Sequence, residues 1–453
     1  MSRPVEDRPI PDPAIRETPR LSVSREPRKA PSTHDPAGNH PFRYRARHHR
    51  NLPHVVKFSG GRSSGMLLFT LLENGLLDRG RGDVVIFNNT SAEHPGTYRF
   101  VRDCMRATRR YGIPFFQIEF QTYEDSRRGV YTRLPSYRMV NGRPADDGNP
   151  DGFSWRGEVF EELLSWAGYV PNQFNRICTK HLKLEATRDF LGDWLAGKSG
   201  IPRLGHHGGS SRVEADAAYE RHCANRGTVP REIFLRKRAY AWNRPHFRAA
   251  QSYGAFCPDW TPFGNPALAG AVFGGRARFG EGGAEYVALI GLRGDEPHRV
   301  QRVASRDAAT DGHEGEHIYM PLVDMGITKD DVNAFWDRQD WDLDLPRDIS
   351  LSNCVYCFLK GAANLGSVHR AQRENGAVAP GFGPTAGTPG DLAWWQRIER
   401  EYGRDLRAEG REARSAVRRI GFFGNKKFSY ESVTDDAARE AFAGAMLPCD
   451  CTE

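Results

Sequence analysis

The stretch His54-Val-Val-Lys-Phe58, followed directly by Ser59-Gly-Gly-Arg-Ser-Ser-Gly65 and then by Met66-Leu-Leu-Phe69, constrains the fold more than any other part of the chain. An apolar run of strand length enters a turn, and an apolar run with helical spacing leaves it. A bare turn needs one glycine, whereas this one holds Gly60, Gly61 and Gly65. A strand-to-helix loop with closely spaced glycines lets backbone N–H groups converge on an anion at the helix N-terminus. The hydroxyls of Ser59, Ser63 and Ser64 add donors, and the Arg62 guanidinium adds a charged one. Neither G-x-x-x-x-G-K-[ST] nor G-x-G-x-x-G fits the spacing. The loop therefore reads as a phosphate cradle of another type; the competing reading is a tight turn whose glycines serve packing.

The pattern that follows is α/β. DVVIFNNT and PFFQIEFQT read as second and third buried strands, with the basic amphipathic segment TYRFVRDCMRATRRYG as a helix between them. Strands alternating with helices argue for βαβ units and a parallel sheet. Residues 136–157 are polar and turn-rich, VFEELLSWAG and HLKLEATRDFLGDWLAG read as helices, and residues 199–283 lack periodicity and read as an insertion over one face of the sheet. YVALIGL is a buried strand running into RGDEPHR, and ITKDDVNAFWDRQ is a helix with Thr328 as its cap. Three regions result: a disordered basic arm over 1–50 ending in FRYRARHHR, an α/β domain carrying the glycine loop over 51–350, and a cysteine-containing helical region over 351–453.

With 453 residues and 39% hydrophobic content, the chain can bury a large core. No apolar run approaches the roughly 18 residues of a membrane helix, and MSRPVEDRPIPDP lacks the apolar centre of a signal peptide. The formal charge of +7 admits a polyanionic partner. The arm is either a solvated tail or a nucleic-acid-binding segment. Eight cysteines without a secretion signal read as reduced thiols, metal ligands or catalytic groups in a cytoplasmic protein.

SGGRSS resembles the SGG-x-[DST]-S pyrophosphate loop (PP-loop) of the ATP-pyrophosphatase and phosphoadenosine phosphosulfate (PAPS) reductase superfamily, with Ser63 where the commonest version has Asp. Further segments are similar to that superfamily in the same order: FNNTSAEHPGTYRFV, RICTKHLK, IGLRGDEPHR, and finally PLVDMGITKDDVNAFWDRQDWDLDLP with SNCVYCFLKG, which resemble a bacterial and phage subgroup of the PAPS reductase family. The matches span roughly residues 54–190 and 284–361. The resemblance implies a Rossmann-like parallel sheet of the adenine nucleotide alpha hydrolase type, binding ATP or a PAPS-type nucleotide at the carboxyl ends of its strands. It implies that Ser59, Gly60, Gly61, Arg62, Ser63 and Ser64 cradle phosphates and that Asn89, Thr90 and Glu93 line the adenosine side. Arg293, Asp295, Glu296 and Arg299 would stand at another strand end, and Cys178 and Lys183 beside the reacting groups. On residue chemistry alone, DEPHR also fits a solvated turn. Arg176, Lys180 and Lys183 suit an anionic substrate and would lower the Cys178 thiol pKa; a helix start with a small buried cysteine is the alternative.

Cys354 and Cys357 have the C-x-x-C spacing with which two thiolates share one metal or cluster, and Cys449 and Cys451 supply a second close pair. A four-thiolate site, a redox dithiol and unligated thiols are the three readings, with Cys178 and Cys257 as competing ligands. The resemblance favours a [4Fe–4S] cluster over Zn2+. No Glu-Cys-Gly-Leu-His motif or Cys-Cys ligand pair is present, which points away from sulfonucleotide reduction. The resemblance then implies an enzyme that cleaves ATP, with Mg2+, to AMP and pyrophosphate and activates an acceptor for sulfur transfer from a donor protein such as a cysteine desulfurase or thiol carrier. A sulfate-assimilation reductase and a nucleotide-sensing or nucleic-acid-binding module without turnover are the alternatives.

Overall fold

The computed structural model describes residues 43–125, 132–198, 276–308, 314–349, 351–374, 386–406, 419–424 and 428–433, with short pieces between 200 and 273 and near 380. Its centre is a seven-stranded sheet. The strands are β1 (His54–Phe58), β2 (Val84–Asn89), β3 (Phe115–Asp125), β4 (Thr132–Pro144), β5 (Gly152–Phe153), β6 (Tyr286–Ile290) and β7 (Glu316–Tyr319), in the spatial order β7-β6-β1-β2-β3-β4-β5. β7, β6, β1, β2 and β3 run parallel, and β4 turns back antiparallel to β3.

Side chains alternate across the pleat, so each strand feeds two cores. Val56, Phe58, Val85 and Phe87 enter one, shared with α1 (Arg62–Glu73), α2 (Pro95–Arg110) and α3 (Glu158–Ala167). Val55, Ile86, Phe116 and Ile118 enter the other, with Phe190 and Trp194 of α4 (Ala186–Trp194) and Val303 of α5 (Pro297–Ala308). The result is an α/β, Rossmann-like arrangement with helices on both faces. α6 (Lys329–Asp337) joins the first layer, where Trp336 stands edge-on to Phe100 and its indole N–H donates to the Arg62 carbonyl at 2.9 Å. Thr328 caps α6 through a reciprocal capping box with Asp331.

Two expectations change. Residues 136–144 are strand rather than turn: Tyr137 and Met139 are buried on one face of β4, while Arg138 on the other pairs with Glu119 of β3. The expected arm does not extend to residue 50, because Arg47–Asn51 is a short 3-10 helix whose His49 is buried against Tyr319 of β7. The described part of the C-terminal region packs into the α/β domain. Val355, Phe358, Leu365, and Trp394 and Trp395 of α8 (Leu392–Tyr402), which follows α7 (Gly361–Glu374), join the same core as Phe87 and α3. Of the insertion, Gln251–Cys257 is described; Tyr253 is buried edge-on to Phe116 and Trp194, covering that face. Among the described residues, no helix is long and apolar enough to cross a membrane.

Candidate functional site

The chain steps from β1 outward to β2 and β3, then returns to β6 on the other side of β1. In an open parallel sheet this reversal opens a crevice at the carboxyl ends of the two strands. The glycine loop after β1 and the segment after β6 meet there. They are so close that a Cβ on Gly291 would lie 2.8 Å from the Ser64 Cα. Arg293, two residues on, donates from Nη1 to Ser63 Oγ at 3.0 Å. Asp295 accepts from Arg293 Nε at 2.8 Å and Glu296 from the Arg293 backbone N–H at 3.1 Å, so the two carboxylates hold the guanidinium against the loop. Arg299 in turn pairs with Glu296.

The loop's own side chains divide their roles. Gly60 has φ +76°, and its position would set a Cβ 2.8 Å from Thr97 Cγ2. Gly61 is the N-cap of α1 in extended backbone, with open space beside it apart from Ser59 Oγ at 3.7 Å. The helix start carries no side-chain cap and no acidic residue in its first turn. Its N–H dipoles are thus presented to the crevice. Ser64 is buried and works inward: its Oγ donates to the Gly61 carbonyl at 2.9 Å and accepts from the Ser59 N–H at 3.2 Å and Ser59 Oγ at 3.0 Å. Arg62 leaves the crevice altogether. Nε and Nη2 form a forked pair with Asp342, at 2.6 Å in the shortest contact, and Nη2 also donates to the Leu345 carbonyl at 2.8 Å. The charged donor facing the loop is Arg293 instead.

At the end of β2, Asn89 is fully buried, with Nδ2 donating to Glu119 at 2.7 Å and to the Ser154 carbonyl at 2.7 Å, and Oδ1 accepting from the Ser91 N–H at 2.8 Å. It shapes the turn. Ser91 has φ +59°, rare for a residue with a side chain, and its Oγ receives the Val159 N–H at the start of α3 at 2.8 Å. Glu93 is buried and accepts from the Thr90 hydroxyl at 2.7 Å and the Tyr98 hydroxyl at 3.0 Å. Nothing in the local sequence marks Ser91, because its partner lies 68 residues away.

The same turn touches the cysteines. Glu93 forms a β-bridge with Cys354, the Val355 N–H donates to the Ala92 carbonyl at 3.0 Å, and Thr90 Oγ1 lies 3.4 Å from Cys354 Sγ. Burial pushes the Cys354 thiol up to about 12, helped by the Glu93 carboxylate and opposed by Lys183. Cys178 acts electrostatically on Cys354, and Cys178, Cys354 and Cys357 all act on the buried Tyr430 hydroxyl, which donates to the Tyr356 carbonyl. Among the described residues, these thiols do not form a group of three close enough to hold one ion. Cys449 and Cys451 lie outside the described residues. Cys257 belongs to the core on the opposite face, and Cys104 is buried within α2. The expected lowering of the Cys178 pKa is overturned: burial raises it, and Lys183 offsets that only in part. Lys180 instead pairs with Glu185 at 3.6 Å on the exposed side. Arg302 of α5 has its pKa lowered by desolvation and by the neighbouring charges of Arg176 and Arg299.

No family model matches the chain. It is similar to a protein of Escherichia phage lambda described as "Uncharacterized nin region protein ORF290", at 29% identity over 313 residues, covering 69% of this chain and 68% of that one. No solved structure matches.

Proposed function

We propose that the chain is an adenine-nucleotide enzyme of the PAPS-reductase-like, PP-loop kind that cleaves ATP to AMP and pyrophosphate. The observation that carries this reading is the meeting of the Ser59–Ser64 loop with Arg293 at the switch point between β1 and β6. An uncapped helix start, a hydroxyl and a guanidinium converge where a triphosphate in an open sheet is expected. In the proposed reaction an acceptor oxygen attacks the α-phosphorus, the bond to the bridging oxygen breaks, and pyrophosphate leaves with Mg2+. A sulfur nucleophile from a donor protein then displaces AMP from the adenylated acceptor. Arg293 stabilises the charge that builds on the leaving phosphates. Asp295 and Glu296 are positioning residues for it.

The thiols fit a supporting role better than a nucleophilic one. A thiol that attacks a sulfonate must ionise, and the raised pKa values of Cys354 and Cys178 oppose that. This disfavours sulfonucleotide reduction. Among the described residues, Cys178, Cys354 and Cys357 do not bring three sulfurs within reach of one ion; a zinc ion or iron–sulfur cluster at Cys354 and Cys357 would need ligands beyond them, such as the expected Cys449 and Cys451.

Pyrophosphate release from ATP and Mg2+, with candidate acceptors present, tests the proposal. Arg293→Ala should lower the rate by about 100-fold or more, the scale of losing one charge-stabilising donor. Pyrophosphate release unchanged in Arg293→Ala, or no ATP binding by the folded wild type, would overturn it.

A further inference from the structure

Far from the crevice, at the amino ends of β6 and β7, the 3-10 helix before β1 lies against the edge of the sheet. His48 and His49 of that helix and His317 of β7 each offer a ring nitrogen, and the three ligand atoms lie within 4.8 Å of one another. The His49 and His317 rings are 3.9 Å apart at 31°, and His48 stands edge-on to His49 at 4.4 Å. The Nε2 atom of His317 is buried without a hydrogen-bond partner. The carboxylate nearest to it, Glu285, is 3.8 Å away, too far for a hydrogen bond. A buried polar nitrogen in that condition calls for an explanation.

We propose that His48, His49 and His317 bind a divalent transition-metal ion, with a water in the fourth position, and that this ion fastens the segment before β1 to the edge strand. Three imidazoles and a water suit Zn2+, which takes nitrogen ligands at about 2.0–2.1 Å in tetrahedral sites. That geometry sets ligand nitrogens about 3.3 Å apart. Binding would draw the ligand atoms from within 4.8 Å to this spacing. Outer partners are already in place. His49 Nδ1 is 2.8 Å from the Tyr319 hydroxyl, which accepts from the Arg45 N–H at 2.7 Å. Ligand histidines are held in this way through their second nitrogen. The site joins two segments separated by some 270 residues, and an ion there covers an edge that β7 would otherwise present.

The test uses the full chain, stripped with chelator and titrated with Zn2+ by calorimetry and with Co2+ by visible spectroscopy. His48→Gln and His317→Gln lie at the surface and at half-buried ring positions, so both should fold. Cys354→Ser serves as the control for the thiols. The expected result is one equivalent of Zn2+ bound by wild type and by Cys354→Ser. Each histidine variant should bind it at least about tenfold more weakly, since even an outer-shell loss costs that much. The Co2+ spectrum of Cys354→Ser should keep its imidazole-type bands without thiolate charge transfer. Zn2+ binding that survives in the folded double histidine variant, binding that vanishes only with Cys354→Ser, or no binding at all would overturn the proposal.

Discussion

Gly60 holds φ +76°, and a side chain there would meet Thr97 at 2.8 Å and Phe87 at 3.0 Å, whereas Gly61 beside it has extended backbone and open space. Substituting the two should therefore do opposite things. Gly60→Ala is expected to lose about 1–3 kcal/mol of stability, the usual cost of forcing a side chain into such backbone. Gly61→Val should change stability by only about 0.5 kcal/mol, yet weaken ATP binding at least about tenfold, or 1.4 kcal/mol. Thermal unfolding paired with ATP titration separates them; a folded Gly61→Val chain with full affinity would remove the loop from the site. Arg62 looked like a phosphate ligand because only the loop was visible, and nothing nearby in sequence names Asp342, 280 residues on. The pair is mostly shielded, with 13% and 19% of the side chains exposed. Arg62→Ala should cost about 2 kcal/mol, in keeping with hydrogen bonds between charged groups, and should affect adenosine and ATP binding equally. Burial alone would raise the Asp342 pKa, but the Arg62 hydrogen bonds carry it below the ordinary carboxylate value. A group depressed in the folded state adds stability that is present above its unfolded pKa and is lost as pH falls through the folded one. Denaturant midpoints should therefore fall on acidification below about pH 4 less steeply in Asp342→Asn than in wild type.

Elements with a strong local signature were legible. The β1–loop–α1 unit, β2, β3, β6 and the capped α6 follow from apolar runs, glycines and a Thr–Asp box whose partners are neighbours in sequence. β4 was not. Its polar residues are satisfied by partners the local pattern does not show, Arg138 by Glu119 of β3 and Asn141 by Asn149 of the following loop, so its alternation of Tyr137 and Met139 with polar neighbours was hidden among turn formers. The docking of the insertion was equally illegible, because it hangs on single residues. Gln251 accepts from the Met139 N–H at 3.0 Å and donates to the Met139 carbonyl at 3.0 Å, standing in for one residue of a neighbouring strand. Gln251→Ala leaves both backbone groups of Met139 without that partner and should cost about 1–3 kcal/mol. Hydrogen exchange at the Met139 amide should speed up selectively; unchanged protection there would mean that Tyr253, rather than Gln251, secures the segment.

Across the whole molecule, the thiol neighbourhood and the crevice were legible only as separate motifs. Folding joins them because the described residues of 351–433 complete the core of the α/β domain, with Trp395, Phe422 and Tyr430 in mutual contact. The join runs through a β-bridge between Glu93 and Cys354, a backbone hydrogen bond from Val355 to Ala92 and the contact of Thr90 Oγ1 with Cys354 Sγ at 3.4 Å. A ligand on either side of that seam must shift the same short piece of chain. Thermodynamic reciprocity then requires that metal or alkylation at the thiols change ATP affinity by the factor through which ATP changes the thiols' affinity or reactivity. The expected factor is about 5-fold or more, measurable as the ATP dissociation constant with Cys354 free and blocked, and as the thiol labelling equilibrium with and without ATP. Equal ATP affinity in both states would mean that the seam transmits nothing. Coupling of the expected size would make nucleotide occupancy a report on the redox and metal supply around the protein, sensed through one strand end.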